Sequence, residues 1–461
     1  MLNITVEKLI QVTDGELLKG NLIKYGDTVI HTICYDSRQM DKNSVFVPLK
    51  GENVDSHRFI NQVLTGEGIV CLSEYPNINY EGDRIIIKVD DTVLAVKKLA
   101  QFCRSNINVP VIGVTGSVGK TSTREMISLA LSAEKKVFAT PGNHNSQLGT
   151  PQTLSLFDDN AEIAVLEMGM SMPGEMSNLA DMVMPDAAVF TNIGITHIEN
   201  LGSREAIVNE KAHISDHMKE NSPLFINIDN DILNTYSFDE KLHIFKYGIV
   251  NQGDAYATEI EENSGCPSFK AIIQGKTVPV RLNVYGKHNI YNALVSLLVC
   301  SYYGVDLQKA ARKLETFKGY LHRGQILHNR NVTIIDDTYN AAPDSVKAAI
   351  DMLSSIECCG RRIAVLGDMK ELGDNSVNEH VSIGEYLESK SNADILVTYG
   401  DISRHMANGI SSLKHYHFED EKSLETFLYS LLRNGDLILF KGSNSMRLFD
   451  VVDKVMKHEF M

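Results

Sequence analysis

The chain has 461 residues, more than one hydrophobic core usually organises, and a length prior of about 150 residues per domain predicts three domains. Hydrophobic residues make up 43% and charged residues 22%, which excludes a disordered, collagenous or coiled-coil protein. With 59 Asp plus Glu against 44 Lys plus Arg the net charge is −15, the wrong sign for a protein that follows a phosphate backbone, so nucleic acid is not expected as a partner.

The first residues, MLNITVEKLIQVTDGELL, lack the basic region, apolar run and small-residue cleavage site of a secretory leader. No stretch approaches the roughly 18 apolar residues that span a bilayer, so neither a membrane anchor nor a membrane partner is expected. Seven cysteines, Cys34, Cys71, Cys103, Cys266, Cys300, Cys358 and Cys359, lie scattered with no CxxC spacing and read as reduced thiols in a cytoplasm. Cys358 and Cys359 read as a helix end rather than a disulfide. His213 and His217 read as solvated rather than as a zinc pair.

In chain order, residues 1–107 hold short β-rich runs, Thr28 to Cys34, Ser44 to Leu49 and Arg84 to Val89, with helical patterns between them: a small α/β module. From Val109 the texture changes to longer apolar runs, VPVIGVTG, AEIAVLEMG, DAAVFTNIG and PLFINID. Such runs, separated by helical segments, predict a parallel sheet buried on both faces. Residues 250 to 282 alternate and predict added antiparallel strands, followed by a helix from Asn289 to Tyr303. A second series, VTIIDD, RRIAVLGDM, ADILVTYG and GDLILFKGS, predicts a separate doubly wound, Rossmann-like unit. The expected domains are 1–107, 108–318 and 319–461.

The strongest single signal is VPVIGVTG, then SVGKTST, then the helical pattern REMISLALSAE. A glycine-rich turn between strand and helix points several backbone N–H groups at one spot, and the helix N-terminus adds a positive dipole end. That spot binds phosphate. Val114 stands where a strict Walker A loop has glycine, so Gly116 and Gly119 belong to a shorter GxxGKT form. Lys120 would reach the outer phosphates and the Thr121 hydroxyl would hold magnesium. Glu167 and His197 follow the carboxyl ends of two further strands, where open α/β sheets collect their ligands, and suit a Mg²⁺ site.

These segments resemble the Mur ligase family, the ATP-dependent amide ligases of peptidoglycan synthesis. The motifs that carry the resemblance are YDSRQMDKNSVFVPLKGENVDSHRFI, TGSVGKTST, GNHNSQLGTP, VLEMGMS, TNIGITHIENLGS, GKHNIYNAL, LHRGQ, IDDTYNAAPDS, LGDMKELG and FKGSNSM. They span essentially the whole chain. The resemblance implies an N-terminal module that binds the UDP-muramoyl substrate, a central P-loop ATPase domain and a C-terminal Rossmann-like domain. It assigns Gly116, Ser117, Gly119, Lys120, Thr121 and Ser122 to the ATP phosphates, and Thr121, Glu167 and His197 to the metal. His288, Asn289 and Asn292 would lie toward adenine. Arg323 and Asp337 would complete the nucleotide site from across a cleft.

Asp36, Ser37 and Arg38 would lie toward the UDP end of the substrate, with Asn143, Asn145, Gln147, Tyr339 and Asn340 along the cleft. Lys211 matches a lysine that family members carbamylate into an anionic metal ligand; by itself it reads as a solvated helix lysine. Lys120, Lys211, Glu167, His197 and Arg323 are thus the implied catalytic group. Ser56, Ser146 and Ala342 depart from the family pattern in segments that face substrate. The pairing of DDTYNAAPDS with GDMKELG implies addition of D-alanyl-D-alanine to a UDP-N-acetylmuramoyl-tripeptide through an acyl phosphate, in a monomeric chain. A family member that adds one amino acid, or a folylpolyglutamate-type ligase, is the nearest alternative. A nucleotide-driven switch and a binding protein without catalysis stand further off.

Overall fold

The computed structural model describes residues 2–51, 53–263, 265–329 and 332–458. Near the N-terminus, Ile4–Thr5 pairs antiparallel with Val29–Ile30, and a five-stranded sheet runs Glu16–Lys19, Ile85–Lys88, Val70–Ser73, Ser44–Phe46, Thr32–Cys34. Only the first of these five is antiparallel to its neighbour. The run predicted as one strand from Thr28 to Cys34 is two, in different sheets. It breaks at His31, whose N–H donates to the Asn43 carbonyl at 2.7 Å, outside either ladder.

Helix Thr92–Ser105 starts at Asp91, whose carboxylate accepts from the Leu94 N–H at 2.9 Å. Its buried Ala95, Val96, Leu99, Ala100 and Cys103 repeat at helical spacing, and that face packs on helices Gly149–Ser155 and Glu175–Val183. Lys97 pairs with Asp181 at 2.6 Å, and Arg104 Nε donates to the Val183 carbonyl at 2.6 Å. One continuous core therefore runs from Leu2, Val6 and Leu9 through Val96 and Leu99 to Leu166 and Met176. The N-terminal module and the central sheet are packed as one body.

The central sheet has nine strands in the order Lys276–Arg281, Cys266–Ile273, Ala255–Asn263, His243–Gly248, Pro223–Asn227, Ala187–Phe190, Val111–Thr115, Ile163–Glu167, Val137–Ala139. All neighbours are parallel except the three strands at one end, which form the antiparallel extension predicted for residues 250 to 282. The apolar runs of the interior strands follow from burial on both sides. In Ile163–Glu167, Ala164 and Leu166 enter the core shared with the N-terminal module, whereas Ile163 and Val165 enter the core under helix His288–Tyr302.

The C-terminal sheet is ordered Gln325–His328, Thr333–Asp336, Leu437–Lys441, Arg362–Gly367, Ile395–Tyr399, Lys414–Phe418. Its first pair is antiparallel and the rest are parallel. Two further cores flank it, with Ala364 and Leu366 facing one and Ile363 and Val365 the other. Among the described residues, Ile195 and Tyr285 are the partly buried hydrophobic side chains of the central unit that pack against these cores. The C-terminal unit is thus the separable one, because shared apolar area is what makes two domains move together. Cys358 and Cys359 lie beyond helix Pro343–Ser355 rather than at its end, and Cys358 Sγ donates to the Gly435 carbonyl at 3.3 Å. The cysteines named above are all free thiols.

Candidate active site

The phosphate loop is the turn between Val111–Thr115 and helix Lys120–Leu131. Gly116 has φ +147 and a Cβ there would stand 1.9 Å from Thr191 Oγ1; Gly119 has φ +85 and opens the helix. The loop is stitched to its neighbour strand: Ser117 N–H donates to the Asn192 carbonyl at 2.9 Å, Val118 N–H to Asn192 Oδ1 at 2.8 Å, and Thr191 Oγ1 donates to the Val118 carbonyl at 2.6 Å. Gly116→Ala is expected to displace Thr191, lower stability by about 1–3 kcal/mol and weaken an ATP analogue by roughly 10²-fold. Denaturant titration and analogue titration read the two effects. Unchanged nucleotide affinity would show that the loop tolerates a side chain and is not a tight phosphate cradle.

Lys120 Nζ donates to the Gly116 carbonyl at 2.9 Å, folded over its own loop. Burial pushes its ammonium below the ordinary lysine value; Glu167 opposes that shift, and Arg323 adds to it. Thr121 and Glu167 are 1% and 2% exposed, and neither Thr121 Oγ1 nor Glu167 Oε2 has a hydrogen-bond partner. A hydroxyl and a carboxylate oxygen without hydrogen bonds inside a polar cavity form a donor set suited to a hard divalent cation. Glu167 Oε1 accepts from Asn145 Nδ2 at 2.6 Å, and Arg124 Nη1 stands 3.5 Å from Oε2. Arg124 is wholly buried and also donates to the Gly142 carbonyl at 2.8 Å, tying the phosphate helix to the loop that carries Asn145.

Lys211, at the end of helix Arg204–Ala212, is 0% exposed and its Nζ has no hydrogen-bond partner among the described residues. Burial, reinforced by the Lys120 charge, pushes its amine well below the ordinary lysine value. The solvated reading of this lysine therefore fails: tertiary packing has closed over it. It does not line the cavity.

The facing wall comes from the C-terminal unit. The Arg323 guanidinium lies 3.8 Å from the centre of the Tyr339 ring. Asp337 and Lys441, from neighbouring parallel strands, pair at 2.5 Å, and Lys441 Nζ also donates to the Asn340 carbonyl at 3.0 Å. His197 Nδ1 lies 2.6 Å from Glu371 Oε2 across the cleft. That contact holds the Glu371 carboxyl below its ordinary range, burial works against the shift, and the Lys120 charge adds to it.

Between the two walls is a cavity of about 490 Å³. It brings together Ser117, Gly119, Lys120, Thr121, Ser122, Asn145, Glu167, His197, His288, Asn292, Arg323, Asp337, Tyr339 and Asn340. It leaves out Gly116, Asn143, Gln147, Asn289 and Lys211. Gln147 Nε2 donates to the Glu175 carbonyl at 2.8 Å, and the Asn289 amide is consumed locally, donating to the Tyr285 carbonyl ahead of its helix and accepting from Asn292. Sequence reading passed over Arg124, Asn192, Glu371 and Lys441, although each falls within or beside a motif already singled out. Charge inside an apolar run, as in LILFKGS, was the one signal for Lys441.

Asp36, Ser37 and Arg38 sit apart, in the N-terminal module. Both Arg38 Nε and Nη2 donate to the Asp36 carboxylate and hold it down at about 2. The preceding Tyr35 hydroxyl donates to the Leu148 carbonyl at 3.1 Å, so this loop abuts the Asn143–Gln147 segment. A second cavity of about 410 Å³ lies in the same module, lined by Asn53, Val54, Asp55, His57, Arg58, Tyr75 and Ile78. His57 is buried there, with Nδ1 2.7 Å from Asp55 and Nε2 accepting from the Glu74 N–H at 3.2 Å. Among the described residues no helix is long and apolar enough to cross a membrane.

Residues 114–300 match the Mur ligase middle domain, and residues 322–444 match the Mur ligase glutamate ligase domain. The chain is 36% identical over 453 residues to the UDP-N-acetylmuramoyl-tripeptide–D-alanyl-D-alanine ligase of Bacillus subtilis, covering 96% of this chain and 97% of that one. Among solved structures it is similar to MurF from Acinetobacter baumannii, with a TM-score of 0.88, 30% identity and 99% of each chain covered. It is also similar to MurF ligase from Thermotoga maritima in complex with ADP, with a TM-score of 0.81, 30% identity, and 93% and 97% of the two chains covered.

Proposed function

Since this chain belongs to the Mur ligase family, we propose that it joins D-alanyl-D-alanine to a UDP-N-acetylmuramoyl-tripeptide at the expense of ATP, yielding the UDP-muramoyl-pentapeptide of peptidoglycan synthesis. The observation that carries the reading is the cavity itself. A glycine phosphate loop on one side faces Arg323, Asp337 and Lys441 on the other, in a chain similar from end to end to enzymes of that name. Both substrates are soluble and anionic or zwitterionic, and the reading places the enzyme in the cytoplasm as a monomer.

The residue types follow from the chemistry. A carboxylate is a poor electrophile at neutral pH. The terminal carboxylate oxygen of the tripeptide therefore attacks the γ-phosphorus, the bond to the departing ADP oxygen breaks, and an acyl phosphate results. Little covalent work falls to the protein in that step; Lys120 and Arg323 position the phosphates and offset charge that spreads over their oxygens. The amine of the dipeptide then attacks the acyl carbon, loses a proton, and inorganic phosphate leaves. Magnesium, when bound, neutralises the transferring phosphoryl group, and Thr121, Glu167 and His197 are the residues that would hold it, with Lys211 if carbamylated.

Because an acyl phosphate hydrolyses, water has to be excluded, and the separable C-terminal unit supplies the wall that does so. The uridine diphosphate end would reach the N-terminal module, where the Asp36–Arg38 loop and the cavity around His57 lie. The test is phosphate release from ATP and Mg²⁺ with the tripeptide and the dipeptide added singly and together, followed by the product mass. Release only with both, and a pentapeptide mass, is expected. Turnover with a single amino acid in place of the dipeptide, or ATP consumed without either substrate, would overturn the assignment.

A further inference from the structure

Building on the magnesium reading above, we propose that Glu371 is a positioning residue: it fixes the His197 ring for metal binding and carries docking of the C-terminal domain into the metal site. A histidine that binds a metal through one ring nitrogen almost always donates the other N–H to a carboxylate or carbonyl, which fixes its tautomer and ring plane. Here Nδ1 of His197 is 2.6 Å from Glu371 Oε2, an ion-pair contact whose angle is not that of an aligned hydrogen bond, and which a small rotation of the exposed carboxylate would align; it leaves Nε2 as the nitrogen available to the cavity that His197 lines. The carboxylate arrives from another domain. Glu371 follows strand Arg362–Gly367 of the C-terminal sheet, whereas His197 follows strand Ala187–Phe190 of the central one.

Both residues have left-handed backbones, φ +66 at His197 and +65 at Glu371, although neither is glycine. Such conformations are held only where the surroundings over-determine them, and they cluster at working sites. The surroundings here are the partner domain: the Glu199 N–H donates to the Glu371 carbonyl at 3.4 Å, and a Cβ at Gly373 would touch Glu199. The side chain of Glu371 is 45% exposed against 15% for His197. Water screens the pair, so its effect is orientation of the ring more than Coulomb energy.

The experiment measures Mn²⁺ affinity of the full chain by electron paramagnetic resonance in the presence of a non-hydrolysable ATP analogue, for wild type, E371Q, E371A and E199Q. E199Q removes a charge from the same interface without touching His197. Glu371 belongs to none of the hydrophobic cores, so its variants are expected to keep the wild-type thermal midpoint. Both Glu371 variants are expected to weaken Mn²⁺ about tenfold or more, with analogue affinity in the absence of metal unchanged and E199Q like wild type. Wild-type affinity in E371Q and E371A, or an equal loss in E199Q, overturns the proposal.

Small-angle scattering reads the coupling. Mn²⁺ added to the analogue complex should compact wild type and leave E371A unaltered, and compaction that persists in E371A overturns that part. Failure of the wild type itself to bind Mn²⁺ would instead overturn the magnesium reading, and this inference with it.

Discussion

Lys120→Ala is expected to lower turnover by about 10³-fold, roughly 4 kcal/mol of transition-state stabilisation, while thermal stability stays close to wild type. The asymmetry follows from what the lysine touches. Among the described residues its ammonium donates only to carbonyls of its own loop, at 2.9 Å to Gly116 and 3.4 Å to Ser117, so the fold gains little from it. A cation held there, beside Arg323 and Lys441 in a cavity that also carries Glu167 and Asp337, serves an anion between the walls. Lys120→Arg is not expected to rescue, because a planar fork cannot place one donor where a compact ammonium sits at the mouth of a helix. Phosphate release under saturating ATP measures the effect, and isothermal titration of ADP separates binding from chemistry. Lys120→Ala retaining a tenth of wild-type turnover would remove this lysine from the phosphate-transfer step.

Why the phosphate loop was legible and the facing wall was not is a matter of sequence distance. Gly116 to Thr121 is a local unit: the strand, the turn and the helix N-terminus lie within twenty residues, and their geometry is set by glycine conformations and helix caps. The long apolar strands were legible for a related reason, since burial on both faces forces a continuous run, as Val111–Thr115 and Leu437–Lys441 show. Edge strands escape this logic. Val137–Ala139 and Lys414–Phe418 carry mixed residues because only part of each is covered, and neither was expected.

The Asp337–Lys441 pair joins residues 104 apart in sequence, brought together by parallel pairing of Thr333–Asp336 with Leu437–Lys441. No periodicity reports such a crossover. Glu371 likewise becomes meaningful only once two domains face each other, and a motif match by itself left it without a partner.

Lys211 shows the opposite case, where the assignment by resemblance ran against the local signal. On a polar helix, with a histidine two residues on, it reads as solvated; the fold instead buries it completely and leaves its Nζ unpaired. An unpaired buried amine is costly, and burial and the nearby Lys120 charge push it well below its ordinary value, toward the neutral form. A neutral amine is the form that adds carbon dioxide: nitrogen bonds to carbon, one proton is released, and an anionic carbamate replaces the amine.

Two results are expected of Lys211→Met. Turnover should fall by about 10²-fold or more, and removal of bicarbonate from the wild type should reproduce part of that loss, reversed on its return. The metal-free variant should also unfold at a higher temperature than metal-free, bicarbonate-depleted wild type. The sign follows from proton linkage. With a folded-state value below 10.5, unfolding takes up a proton between the two values, so wild-type stability rises with pH across that window and levels off above it. Lys211→Met carries no such proton and should lose that part of the slope. Denaturant midpoints from pH 7 to 10 measure it. An unchanged slope would mean that Lys211 is charged in the folded protein, and a charged ammonium cannot form the carbamate.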